Sequence, residues 1–166
     1  MHIDDIKTND LTQDEILANR RRWIEYMRKP HRRKYRGALV NERRRDERCC
    51  LGHACAAFGL RTTEVASGEI GYVDQDTQLP KQMMKALGLH TMFGSSLSSR
   101  FDDRILKHMK MTGNEKYDKV SGWRPSALTH LNDETSTSPK AIADYLEEVI
   151  LGGEATPFVS ITNYPK

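Results

Sequence analysis

Three cysteines and a histidine lie close together in RDERCCLGHAC, residues 45–55, and these are residue types that could do chemistry. Cys49, Cys50 and Cys55 could supply thiolates, and His53 could act as a base or a metal ligand. A structural zinc ion needs four converging ligands, usually from two separate C-x2-4-C pairs, and this sequence has a single cluster. On a helix, Cys49 and His53 would share one face, whereas Cys50 and Cys55 would lie beside it. The spacing disfavours zinc, so we predict no metal site and no cofactor.

A cysteine nucleophile is the second interpretation of this cluster. Cys49 or Cys50 would lie at the start of a helix, directly after Arg48, where the helix dipole and nearby arginines lower a thiol pKa. His53 would follow one turn later, but a catalytic base usually comes from another element and is oriented by a third group. Because the sequence shows no such group, Cys49, Cys50 and His53 are weak catalytic candidates. A function without catalysis is favoured.

The third interpretation, which we favour, is that the cysteine helix packs in the core. Free cysteine is among the most buried residue types, and small side chains let two helices approach closely. Gly52 in the middle of this helix costs about 1 kcal/mol of helix propensity. That cost is reasonable if another backbone or a ligand passes close to Gly52. We therefore expect Cys50 and Cys55 to be buried.

Positive charge is concentrated before the cysteine helix. The chain has 26 Lys and Arg against 23 Asp and Glu, a formal net charge of +3. Between Arg20 and Arg48, thirteen basic residues stand against four acidic ones, so this part carries +9 and the rest carries −6. Such an asymmetry predicts a positive face that attracts phosphates or an acidic partner. A solvated helix face followed by a basic loop would give the same pattern.

If this face binds a phosphate-bearing ligand, the segment HRRKYRG is its centre. Arginine pairs with phosphate oxygens through bidentate hydrogen bonds, and lysine acts as a point charge. Glycines allow a ligand to approach the backbone, and the start of the cysteine helix offers N–H groups to an anion. The Asn–Asp pair of ALTHLND would recognise the ligand's polar edge, unless it only forms a turn or cap. The predicted ligand-binding residues are Arg32, Arg33, Lys34, Arg36, Gly37, Gly52, Asn132 and Asp133.

The 166 residues are enough for one domain with its own core, and a hydrophobic content of 37% fits a globular chain. We predict a mainly α fold, a single compact domain of five or six helices with at most a minor β element. Residues 1–11 would be an N-terminal extension, 12–152 the helical domain and 153–166 a C-terminal tail. The odd number of cysteines and the absence of a signal-like or membrane-spanning stretch favour a reduced cytoplasmic protein.

Helix signals are strongest near the two ends of the predicted domain. Thr12 and Glu15 have capping-box spacing, and Pro30 marks the end of that helix. Ser138 is a cap, with Pro139 at the first helical position. On the first helix, Trp23 belongs to an apolar stripe and is expected in the core. Further helices are predicted at 49–58, 80–87, 100–111 and just after 125. A short extended piece is predicted at 38–40, and a polar loop at 60–78.

Several blocks of the chain together resemble a family of small, uncharacterised phage-encoded proteins. The resemblance covers about Trp23 to Glu148 and rests on WIEYMRK, KYRGAL, CCLGHAC, LPKQMMKALGL, ALTHLND and AIADYLEE. The CCLG and LND blocks are its most specific parts. The chain departs from the family pattern at His53, where an aliphatic residue is typical, and in the longer VNERRRDER connection. The resemblance implies a phage origin and no particular chemistry, and the departure at His53 further weakens a Cys–His catalytic site.

Several functions stay open, and each suits a phage accessory protein in the host cell cytoplasm. We favour a binding protein for a phosphate-bearing ligand, such as a nucleotide-like host defence signal, that counters a host function. A nucleic-acid binder is the first alternative, because Trp23, Tyr26 and Tyr35 interleave with arginines as in proteins that stack on single strands. A cysteine-dependent enzyme is the second alternative, and the last is an inhibitor that binds a host protein through a protein interface alone. No membrane association is predicted.

Overall fold

The computed structural model describes residues 1–95, 103–110 and 125–151. In these ranges the fold is rich in helix and also contains two small sheets of two strands each. No helix in the same ranges is long and apolar enough to cross a membrane. The elements, after a short 3-10 helix at Ile3–Asp5, are α1 (Gln13–Arg28), β1 (Arg33–Lys34), β2 (Glu47–Arg48), α2 (Cys50–Ala57), β3 (Thr62–Glu64), β4 (Ile70–Tyr72), α3 (Lys81–Ala86), α4 (Ile105–His108), α5 (Leu128–Glu134) and α6 (Pro139–Ile150).

Helix α1 begins where its capping box predicts. The Thr12 hydroxyl accepts a hydrogen bond from the Glu15 N–H at 3.2 Å, and the Glu15 carboxylate accepts one from the Thr12 N–H at 2.8 Å. The helix ends at Arg28, and the next residue is already extended, as expected one position before Pro30. Its apolar stripe is buried, and Trp23 is in the core as predicted.

Helix α6 packs against α1 and closes the core from the other end of the described chain. Its start also follows the sequence signal, with a serine cap at 138 and a proline at the first helical position. Arg28 of α1 joins the two helices through hydrogen bonds to Asp144 at 2.7 Å and Glu147 at 2.9 Å. These charges lie at the rim of the contact, and buried side chains of both helices, such as Trp23 and Ile142, belong to one hydrophobic cluster.

Helix α2 lies inside this core, and the predicted burial of its cysteines is confirmed. Its side chains lie in the same cluster as those of α1 and α6. The backbone of Leu39 passes directly against Gly52, so that a Cβ added there would lie 1.9 Å from the Leu39 carbonyl oxygen. The close approach indicated by Gly52 is therefore made by another stretch of backbone.

The strands correct two expectations from the sequence. Residues 60–78, predicted as a polar loop, contain the antiparallel hairpin of β3 and β4, with Thr63 paired to Gly71. The loop prediction was wrong because one strand of this hairpin is wholly polar and its anchor, Tyr72, is a single buried ring. The extended piece expected at 38–40 is reduced to one antiparallel bridge between Val40 and Arg48. Strands β1 and β2, which precede and follow residues 38–40 in the chain, form a parallel pair.

Other predicted segments lie only partly within the described residues. Of the helix predicted at 100–111, the described residues 103–110 contain the short helix α4. The predicted stop of α6 at Gly152 and the tail at 153–166 lie outside the described residues. At the N-terminus, Ile3 and Ile6 are buried and belong to the hydrophobic cluster, so residues before α1 pack on the domain.

Candidate functional site

The parallel pairing of β1 and β2 joins the two arginine-rich parts of the chain. Arg33 lies opposite Glu47, and Lys34 lies opposite Arg48. The Tyr35 N–H donates to the Arg48 carbonyl at 2.9 Å, which extends the ladder by one more bond. Lys34 and Arg48, which are 14 positions apart in sequence, therefore lie on neighbouring strands.

Residues 41–47 form a closed loop between these strands, which we call the arginine loop. The Asn41 N–H donates to the Glu47 carbonyl at 2.9 Å, and the Asn41 side-chain amide donates to the Glu47 carboxylate at 2.7 Å. The Asn41 side-chain oxygen accepts a hydrogen bond from the Arg43 N–H at 3.0 Å, as in an Asx turn. These bonds fix the base of the loop and leave Arg43, Arg44 and Arg45 exposed.

Two guanidinium groups, one from β1 and one from the arginine loop, approach the same carboxylate. An Arg44 nitrogen lies 3.1 Å from Oε1 of Glu47, and an Arg33 nitrogen lies 3.9 Å from the same oxygen. Another nitrogen of Arg33 lies 4.0 Å from the Asp46 carboxylate. The Arg33 and Arg44 side chains are 59% and 65% exposed, and such exposed ion pairs contribute little stability. We call Arg33 and the three arginines of the loop the basic face.

Arg32 is oriented away from this role by an aromatic ring. Its guanidinium carbon lies 4.1 Å from the centre of the Tyr26 ring, and the Lys29 ammonium lies 5.6 Å from the same centre. A cation over an aromatic face is held by the negative potential of the ring. Arg32 is half-buried in this position, and its Nε is buried without a hydrogen-bond partner among the described residues.

Lys34 and Arg36 both bind the chain that leaves α5. The Lys34 ammonium donates to the carbonyls of Thr135 at 2.6 Å and Thr137 at 3.1 Å. Arg36 donates to the same Thr135 carbonyl at 3.0 Å. Burial lowers the pKa of Lys34 to about 8, and the charge of Arg36 acts in the same direction. Both side chains therefore anchor the basic segment to the body of the protein.

Asn132, predicted to recognise a ligand, connects three elements of the structure instead. It is 1% exposed, and its side-chain oxygen accepts a hydrogen bond from the Cys50 N–H at 3.1 Å. Its amide donates to the Tyr35 carbonyl and to the Asp133 carboxylate, both at 2.7 Å. The Gly52 N–H donates to the Cys49 sulfur at 3.3 Å. The N–H groups at the start of α2 that were expected to hold an anion are therefore bonded within the protein.

The two glycines predicted to bind a ligand lie in different parts of the structure. Gly37 has φ of +80° and open space around its Cα, so it makes the turn after the basic segment. Gly52 lies against Leu39, as described above, and faces away from solvent. The structure thus brings Arg33 to the exposed basic face and places Lys34, Asn132 and Gly52 beneath it, whereas Arg36 is exposed and bonded to the Thr135 carbonyl.

The thiols are in an environment that opposes nucleophilic chemistry. Burial raises the pKa of Cys49 to about 12 and the pKa values of Cys50 and Cys55 well above their usual range. His53 Nε2 donates to the Arg33 carbonyl at 3.0 Å, and its Nδ1 is buried without a partner among the described residues. Burial lowers the pKa of this histidine to about 4. At neutral pH these groups are protonated thiols and a neutral imidazole that supports the backbone of Arg33.

Arg43, Arg44 and Arg45 were not among the predicted site residues, although all three are exposed and adjacent in the chain. A local signal does exist for them. An asparagine two residues before the first arginine permits an Asx turn, and Glu47 is well placed to close the loop. Comparison of the chain with protein-family models, curated proteins and solved structures gave no match.

Proposed function

We propose that the protein binds a phosphate-bearing ligand through the basic face. The observation that carries this proposal is the convergence of Arg33 and Arg44 on one oxygen of Glu47. Two guanidinium groups at that spacing can contact a single phosphate group together. Phosphate offers more charge and more acceptor oxygens than a carboxylate, and arginine forms its strongest hydrogen bonds with such groups.

The carboxylates near the basic face do not cancel its charge toward solvent. The Glu47 side chain is only 15% exposed and is held by Asn41. Glu42 lies against Glu69 of the hairpin turn, where its hydrogen bond and charge raise the pKa of Glu69. Asp46 is exposed and lies at the edge of ion-pair distance from Arg33. A phosphate would therefore meet four exposed arginines, and the exposed carboxylates of the loop are Asp46, beside Arg33, and Glu42, which lies against Glu69.

The groups beneath the face support it by fixing its backbone. His53 holds the carbonyl of Arg33, and Asn132 holds the carbonyl of Tyr35. Lys34 ties the same strand to residues 135 and 137. Because the backbone is bonded on both sides of Arg33, little conformational entropy of the main chain is lost when a ligand binds.

The biological role in this proposal is that of a phage accessory protein that counters a host function in the host cytoplasm. The support for this part is the resemblance of the CCLG and LND blocks to phage-encoded proteins. A nucleotide-like defence signal and nucleic acid both carry the phosphate groups that the basic face would bind.

A charge-reversal pair tests the proposal. The double variant Arg33→Glu, Arg44→Glu would be titrated with ATP, inorganic tripolyphosphate and a DNA duplex of about 20 base pairs, long enough for several phosphate contacts. We expect at least one of these probes to bind the wild type, and the double variant to bind at least about tenfold more weakly, since each charged hydrogen bond contributes about 1.5–3 kcal/mol.

The matched control is Arg61→Glu, Lys81→Glu, which makes the same change of charge at two exposed positions outside the basic face. This variant should bind like the wild type, apart from a small uniform electrostatic loss. Both variants should unfold at nearly the wild-type temperature, because exposed charges contribute little to stability. Equal loss of binding in both variants, or no binding of any probe to the wild type, would refute the proposal.

A further inference from the structure

We propose that the phosphate-bearing ligand is double-stranded nucleic acid, bound through its phosphate backbone. This inference rests on the proposed function and specifies its ligand. Three features of the described residues carry it: the open shape of the basic face, the occupied aromatic rings beside it, and the rigid base of the arginine loop.

The basic face is an open surface. Arg43, Arg44 and Arg45 are exposed on a loop, and Arg33 lies on the neighbouring strand. Cavities of about 250 and 580 Å³ occur in the described structure, but they are lined around Met1 by residues of α1, the N-terminal segment and the β3–β4 hairpin. Neither cavity includes an arginine of the basic face. Charges spread over an exposed loop fit a ligand with several successive phosphates better than one enclosed small molecule.

Two of the three aromatic rings near the face are not free to stack on unpaired bases. Proteins that bind single strands combine a basic groove with exposed aromatic faces. Here Trp23 is fully buried, and the Tyr26 ring is covered by the Arg32 guanidinium at 4.1 Å. Tyr35 is half-buried between β1 and the turn at Gly37. At Trp23 and Tyr26 the stacking expected from the sequence is thus replaced by internal packing, and contact through phosphates is the mode of binding that the exposed arginines offer.

The arginine loop is fixed before the ligand arrives. Both the backbone and the side chain of Asn41 are bonded to Glu47, and the Glu47 N–H donates to the Arg44 carbonyl at 2.8 Å. The loop therefore presents its three arginines at a set spacing. A duplex has a regular array of phosphates, whereas the phosphates of a flexible single strand have no fixed positions. A rigid set of cations matches the regular array without an entropy cost to the ligand.

Salt dependence of binding tests the inference. Fluorescence anisotropy would measure the affinity for a labelled duplex of about 20 base pairs, for one of its single strands, and for ATP and tripolyphosphate as competitors, each at several salt concentrations. Four arginine–phosphate contacts predict a log–log slope of about −3.6, or a loss of roughly 150-fold between 50 and 200 mM salt. The duplex should bind more tightly than the single strand.

Single substitutions then test whether the salt dependence of binding comes from the arginines of the loop. Arg45→Ala should weaken duplex binding and make the slope shallower by about 0.9, and Arg45→Lys should restore most of the slope. Arg61→Ala, at an exposed position outside the face, should leave the slope unchanged. Circular dichroism and the melting temperature confirm that each variant is folded.

The outcomes separate this inference from the proposed function. Steep, loop-dependent binding of the duplex supports both. Tight binding of ATP or tripolyphosphate with a shallow slope, and no binding of the duplex, overturns the inference and leaves the proposed function standing. A preference for the single strand also overturns the inference. If neither the duplex nor any other phosphate probe binds, both are refuted.

Discussion

Mild acid should destabilise the folded protein through His53. The ring is fully buried, and its Nε2 donates to the Arg33 carbonyl at 3.0 Å. Burial is the main reason that its pKa falls to about 4, and the charges of Arg48 and Arg32 lower it further. The folded state therefore keeps this imidazole neutral at pH values where an exposed histidine is protonated.

The direction and size of the effect follow from linkage. In the unfolded chain the His53 pKa is near 6.5, so between pH 6.5 and about pH 4 the unfolded state binds one more proton than the folded state. The free energy of unfolding must fall as the pH falls through this window. The gap between the two pKa values corresponds to about 3 kcal/mol. Below about pH 4 both states are protonated at this residue, and its contribution stops changing.

Urea titrations at pH 7 and pH 4.5, followed by circular dichroism, measure this loss. His53→Gln is the informative variant, because its amide can donate to the Arg33 carbonyl but does not titrate. The wild type should lose about 2–3 kcal/mol more than His53→Gln between the two pH values. His90→Gln changes an exposed histidine and should show the wild-type pH dependence. Carboxylates contribute equally to all three proteins and cancel in the comparison.

Equal losses in the wild type and His53→Gln would refute the reasoning. That result would mean that His53 titrates in the folded protein much as it does in the unfolded chain. An independent check is the ring titration by NMR, where the His53 signals should not shift between pH 7 and pH 5. A shift in that range would contradict the burial of a neutral ring.

The other predictions concern the packing beneath the basic face. Gly52→Ala should lower the free energy of unfolding by several kcal/mol in urea titrations, because the added Cβ would lie 1.9 Å from the Leu39 carbonyl oxygen. The control Gly37→Ala, in open space, should lower it by only about 1–2 kcal/mol. Equal losses in the two variants would contradict the close contact at Gly52. Asn132→Ala should lower the free energy of unfolding by about 2–4 kcal/mol in the same assay, because it leaves the first N–H of α2 and a carbonyl of the basic segment unpaired. A loss below about 0.5 kcal/mol would show that water replaces both hydrogen bonds. Cys49, with its pKa raised to about 12, should react with a disulfide reagent at pH 8 far more slowly in the folded protein than in urea, and a rate equal to that of free cysteine would refute its burial.

The parts of the fold that the sequence predicts well are those with local signals. The start of α1 is determined by Thr12 and Glu15, three positions apart, and the start of α6 by adjacent serine and proline. The burial of α2 follows from its composition, since Cys, Ala and Leu dominate it. Each of these signals acts within one helical turn, so it can be recognised without knowledge of the tertiary structure.

The strands and the roles of the basic residues depend on distant partners. Strand β1 is two charged residues whose pairing with β2 has no hydrophobic alternation to indicate it. The turn after β4 has Val73 at φ of +61°, which a β-branched residue rarely adopts. Lys34 and Arg36 differ from Arg33 only because a carbonyl about 100 residues later accepts their hydrogen bonds. The sequence predicts a basic face, but it does not show which of the cations are free to bind.

The packing of α1 against α6 has a consequence for biosynthesis. The apolar stripe of α1, which includes Trp23 and Met27, is completed by side chains such as Ile142 that the ribosome adds more than a hundred residues later. At the usual 5–20 residues per second, the delay is roughly 6–23 s. During this time α2 can cover part of the apolar side of α1, but the part that packs against α6 stays exposed. Completion of the core therefore waits for the synthesis of α6, and until then the exposed side of α1 is a natural substrate for chaperones of the translating cell.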